Sequence, residues 1–81
     1  MPLLYSLKCG PITARVYRIG ATWTALVQVL GSERFHEGIL DVSAAENTAV
    51  ALARELCLEN NVTCPNSLDA PDWIMARSAE A

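Results

Sequence analysis

The sequence predicts an α+β domain in which an antiparallel β-meander sheet of three to five strands carries one amphipathic helix, about residues 43–59, on one face. Gly10-Pro11, Gly20-Ala21, Gly31-Ser32 and Gly38 divide the first half into short runs rich in β-branched and aromatic residues, the mark of consecutive strands. From Ser43 the apolar period lengthens from two residues to about three and a half, the mark of a helix. With 81 residues there is room for one core, so 1–81 reads as a single domain.

The runs Ile12 to Ile19 and Thr22 to Leu30 can be joined by a two-residue Gly20-Ala21 loop. That loop fixes the register: Arg18 opposes Trp23, Val16 opposes Ala25, Ala14 opposes Val27 and Ile12 opposes Val29. One face of the hairpin is then almost wholly apolar, and the other holds Thr13, Arg15, Tyr17, Thr24, Leu26 and Gln28. For the next turn, a three-residue loop over Gly31-Ser32-Glu33 is expected. It sets Phe35 opposite Val29 and Ile39 opposite Ala25 on the apolar face, with His36 and Leu40 on the other face. Glu37 then falls on the apolar side unless Gly38 forms a bulge that turns it out.

Ser43-Ala44-Ala45-Glu46 has the capping-box form, in which side chains satisfy orphan backbone donors at a helix start. Ala45, Ala49, Leu52, Ala53 and Leu56 recur at helical spacing, with Val50 and Cys57 on the flank. This stripe is expected to cover Trp23, Phe35 and Ile39, and Asn60-Asn61 supplies residues that tolerate a left-handed stop. Residues 63–72 hold two prolines and read as a loop. The tail Trp73-Ile74-Met75-Ala76-Arg77 suits an edge strand slightly better than the short helix its alanine-rich continuation allows.

The net charge of −3 is unevenly spread. Residues 1–40 carry Lys8, Arg15, Arg18 and Arg34 against Glu33 and Glu37, whereas residues 41–81 carry Arg54 and Arg77 against seven acids. Acidity opposes a simple phosphate-backbone binder. An odd count of three cysteines, with neither a secretory leader nor an apolar run of membrane-spanning length, points to reduced thiols in the cytoplasm.

Three kinds of chemistry were weighed against these residues. A nucleophilic Cys–His pair lacks placement, since Cys57 lies on the buried helix flank and Cys64 has no activating neighbour in sequence. A zinc site from Cys9, His36, Cys57 and Cys64 has the wrong spacing, with six residues between the last two. Acid–base work needs paired carboxylates in a pocket, and only Glu37 has an unusual predicted setting. No catalytic residue, metal or cofactor is therefore expected.

Binding remains. Tyr17, Arg15, Gln28, His36 and Arg34 on an open sheet face resemble an aromatic and basic platform for single-stranded nucleic acid. The strand-strand-strand-helix order is similar to the latter part of double-stranded-RNA-binding domains and of HicB-type antitoxins, but the helix start Ser43-Ala44-Ala45-Glu46-Asn47 holds no lysine. The stronger expectation is a protein partner or a second copy, bound by Arg15, Tyr17, Leu26, Gln28, His36 and Leu40 as an apolar strip with a polar rim. An open sheet edge, Leu3 to Lys8 or the tail strand, offers strand addition as a second route. Small size and acidity also suit the phage-type inhibitors that block larger host complexes, such as anti-CRISPR proteins, with Glu55, Glu59, Asp69 and Asp72 imitating phosphates.

Overall fold

A computed structural model of the chain describes residues 3–65, 68 and 73–77. Along the chain these form β1 (Leu3–Cys9), β2 (Ile12–Ile19), β3 (Thr22–Val29), β4 (Ser32–Ile39), α1 (Val42–Glu59) and β5 (Ile74–Arg77). The five strands make one antiparallel sheet in the order β4-β3-β2-β1-β5, and α1 covers β2, β3 and β4 on one face. The predicted α+β meander with its single helix is the observed architecture. The tail run is a strand, as expected, and it pairs with β1. Of the two candidate open edges, β5 closes β1 along Leu3 to Ser6, and the tail strand β5 is itself an edge of the sheet.

The β2–β3 register is the predicted one throughout, from Ile12 opposite Val29 to Arg18 opposite Trp23. Ile12, Val16, Ala25, Val27 and Val29 lose all exposure beneath the helix. Ala45, Ala49 and Ala53 recur every fourth residue on α1 and are equally buried. Their small side chains let the helix axis approach the sheet closely, and Leu56 and Cys57 complete the covering stripe. Trp23 closes one end of this layer, half-buried, with its ring 6.1 Å from that of Tyr5. Beyond the helix, Val62, Cys64, Leu68 and Trp73 join the same core.

The β3–β4 register departs from expectation. Val29 opposes Ser32, Val27 opposes Arg34, Leu26 opposes Phe35 and Ala25 opposes His36. The loop is thus the two residues Leu30-Gly31, with φ of 49° and 88°. Both positive values define the mirror-image turn that matches strand twist, normally an Asn-Gly or Asp-Gly sequence. A leucine in the first position gives no turn signal, which is why Gly31-Ser32 looked like the turn. The shift of parity carries Phe35 to the uncovered face, 58% exposed, and carries Arg34 and His36 to the helix side. The bulge at Gly38 does occur: Thr24 faces the extra residue between His36 and Ile39, Gly38 has φ 76°, and Glu37 is exposed. Its one-residue insertion restores Ile39 to the core, opposite Trp23.

The helix starts earlier than the capping-box pattern predicts. Asp41 is the N-cap, its Oδ1 accepting from the Ala44 N–H at 2.8 Å, and Ser43 lies inside the first turn. At the other end Asn61 takes the left-handed conformation, φ 56°, as expected. The Val62 N–H donates to the Cys57 carbonyl at 2.8 Å and the Asn61 N–H to Leu58 at 3.2 Å, which closes the helix as a Schellman motif.

Two stability measurements check these assignments. Asp41→Ala is expected to cost about 1 kcal/mol, the usual value of an N-cap, whereas Ser43→Ala costs only a few tenths; equal losses in urea denaturation would return the cap to Ser43. Leu30→Asn is expected to raise stability by up to about 1 kcal/mol, because asparagine tolerates the left-handed region that leucine resists. A loss of stability there would contradict the two-residue turn.

Candidate functional site

On the face away from α1, cross-strand pairing arranges side chains in rows across the strands. One row reads Lys8, Thr13, Gln28, Glu33 and the next Ser6, Arg15, Leu26, Phe35, each residue opposite its neighbours in the adjoining strands. A third contains Tyr17 and Thr24. Tyr17 and Leu26 are half-buried, outside the core as expected, and Arg15 and Gln28 are exposed beside them. Gln28 Nε2 donates to Glu33 Oε2 at 2.9 Å, which ties the glutamate to this face.

Two residues expected here lie elsewhere. His36 opposes Ala25, so its parity is that of the helix side at the exposed β4 edge. Leu40 follows the last strand, in the bend before α1, and is 83% exposed rather than aligned with Thr24. The one-residue difference in the β3–β4 loop accounts for His36, whereas Leu40, past the bulge that restores parity, is displaced because β4 ends at Ile39. Their place on the face is taken by Phe35, which sequence reasoning had put in the core. The Leu30-Gly31 pair was the available signal, since a glycine second in a two-residue loop fits the observed turn.

Arg34 also leaves the open face. From the helix side of β4 its guanidinium donates to Glu59 Oε1 at 2.7 Å and to Glu55 Oε1 at 3.2 Å. The hydrogen bond and charge of Glu59, then those of Glu55, hold Arg34 above its ordinary value. Carboxylates near a helix C-terminus oppose the macrodipole, and the strand arginine offsets them. The same pairing engages two of the four acids read as phosphate mimics; Asp69 and Asp72 lie outside the described residues.

At one end of the open face Ile19, Thr22, Thr24, Glu37 and Gly38 line a solvent-open depression of about 390 Å³. Glu37 is the one ionisable group among the described lining residues.

The three cysteines, distant in sequence, converge where the β1–β2 turn meets the segment after α1; a Cβ at Gly10 would lie 3.5 Å from Pro65. All three are thiols. Among the described residues no three His, Cys, Asp or Glu side chains could hold a metal ion, and no helix is long and apolar enough to cross a membrane. Burial, foremost, pushes the Cys57 thiol up to about 11, helped by its hydrogen bond with Cys64 and the charges of Cys64 and Cys9. Such a thiol is a poor nucleophile at neutral pH.

Comparison of the chain with protein-family models, with curated proteins and with solved structures found no match.

The raised Cys57 thiol has a pH signature. Above its ordinary value of 9.0 the unfolded chain releases this proton, and the folded chain holds it to about 11. Its contribution to stability is fully present below pH 9.0 and is lost as pH rises to about 11, on the order of 3 kcal/mol in total. Denaturation curves across that range are expected to fall less steeply for Cys57→Ala than for the parent chain. Parallel pH profiles would contradict the assignment.

Proposed function

We propose that this chain is a non-enzymatic protein-binding module of the cytoplasm that works through the sheet face opposite α1. The observation that carries this reading is the strip Leu26–Phe35, flanked by Tyr17, on a face whose other described residues are polar apart from Ile19 at one end. Phe35 is 58% exposed beside Leu26, in a row that ends in Arg15 and Ser6. An aromatic and aliphatic centre with an arginine and polar rim is the composition of protein interfaces, where such anchors supply most of the affinity. The four candidate residues on this face are Arg15, Tyr17, Leu26 and Gln28, to which Phe35 is added.

A binding module of 81 residues and net charge −3 also suits the class of small phage-type inhibitors that obstruct larger complexes, of which anti-CRISPR proteins are examples. Glu55 and Glu59 serve that idea poorly, because their charges are directed to Arg34. A second reading is single-stranded nucleic acid, favoured by Phe35 joining Tyr17 and Arg15 on one face. Glu33 and Glu37 beside that platform repel phosphate, so protein binding is the better supported of the two.

Leu26→Arg and Phe35→Glu are expected to abolish binding, whether seen as a stable complex in affinity capture or as dimer mass in solution. Both positions are solvent-accessible, so thermal unfolding should move by little. Undiminished association in both variants would remove this face from consideration. Salt-sensitive retardation of a labelled oligonucleotide, weakened by Arg15→Ala, would instead establish the nucleic-acid reading.

A further inference from the structure

We propose that the partner of the uncovered face is a second copy of this chain, docked sheet against sheet across a two-fold axis that runs parallel to the strands between β2 and β3. The proposal rests on the protein-binding reading above and specifies its occupant. Its ground is that the face is complementary to itself in charge and in size.

Lys8 stands at one end of a row and Glu33 at the other, with Thr13 and Gln28 between them. Among the described residues the cations of the face, Lys8 and Arg15, belong to β1 and β2, and its carboxylates, Glu33 and Glu37, to β4. Rotation about the stated axis exchanges β1 with β4 and β2 with β3. Lys8 then meets Glu33 of the second copy, and the symmetry makes this contact twice. In the adjoining row the same rotation sets Ser6, a small residue, against the Phe35 ring of the second copy, and Arg15 over its Leu26. The aliphatic stem of an arginine can cover such an apolar side chain while its charged head reaches toward water.

The competing symmetric arrangement has its axis across the strands. Centred on the Arg15–Leu26 row, it sets Glu33 against Glu37 of the second copy, so the carboxylates repel. Only the axis along the strands couples opposite charges, and it leaves the two sheets with nearly aligned strands, the usual geometry of face-to-face sheets. Four strands about 4.8 Å apart and roughly 20 Å long cover about 400 Å² per copy. That is about half of a standard interface, so the dimer exchanges readily and depends on concentration and salt.

Sedimentation equilibrium of the full chain, over a range of concentrations, tests the proposal. The parent chain is expected to dimerise, and Lys8→Glu or Glu33→Lys alone to weaken the dimer about tenfold or more. The double variant K8E/E33K should recover to within a few-fold. An equimolar mixture of the two single variants should form heterodimers, because both contacts are then attractive. A parent chain that stays monomeric at millimolar concentration overturns the second-copy proposal, as does a dimer indifferent to these charges or a double variant that fails to recover. If capture of another protein still depends on Leu26 and Phe35 in those cases, only the choice of occupant has failed. Loss of that dependence as well would remove the binding face.

Discussion

The alternation of the β2–β3 hairpin is the constraint from which the other arrangements follow. With Ile12, Val16, Ala25, Val27 and Val29 turned to one side, that side must be covered, and the alanine stripe of α1 covers it. Slipping this pairing by one residue would turn one of the two strands over, exposing its apolar side chains and burying Arg15 or Gln28 in their place, so the register has no close competitor. The opposite face is fixed by the same act: Tyr17, Leu26 and Arg15 are left outside because their neighbours are within.

This dependence explains what was legible in the sequence. The hairpin was readable because Gly20-Ala21 permits a short loop and both strands alternate cleanly on either side of it. The helix face was readable because its alanines and leucines keep their spacing, and the stop was readable in Asn60-Asn61. At β4 the legibility ended. Ser32, Arg34 and His36 face the helix side and Phe35 faces water, so that strand lacks the apolar alternation that would have fixed its parity. As an edge it needs none, and its charged residues discourage unwanted pairing. His36 and Phe35 were misplaced by that ambiguity and Leu40 by the end of β4 at Ile39, whereas Arg15, Tyr17, Leu26 and Gln28 lie on strands with a determined register.

Other features were out of reach for a different reason. The convergence of Cys9, Cys57 and Cys64 depends on how the segment after α1 crosses back toward β1, which no local pattern encodes. The pairing of Arg34 with Glu55 and Glu59 likewise joins a strand and a helix whose relative placement is a tertiary fact. The N-cap was a nearer miss. Asp41 and Ser43 are both good capping residues, and the end of β4 at Ile39 decides between them by leaving the shortest path into the helix at Asp41.

The place of β5 has a consequence for how the chain reaches this state. Every other strand pairs with a neighbour in sequence through a tight turn, so β1 to β4 and the helix can assemble from contacts of short range. β5 alone must return across the whole molecule, bringing Arg77 beside Leu3. During synthesis the outer rim of β1 therefore emerges without a neighbour and stays so until β5 has followed it. The order of synthesis thus gives that rim an interval of vulnerability to intermolecular pairing that the finished fold removes.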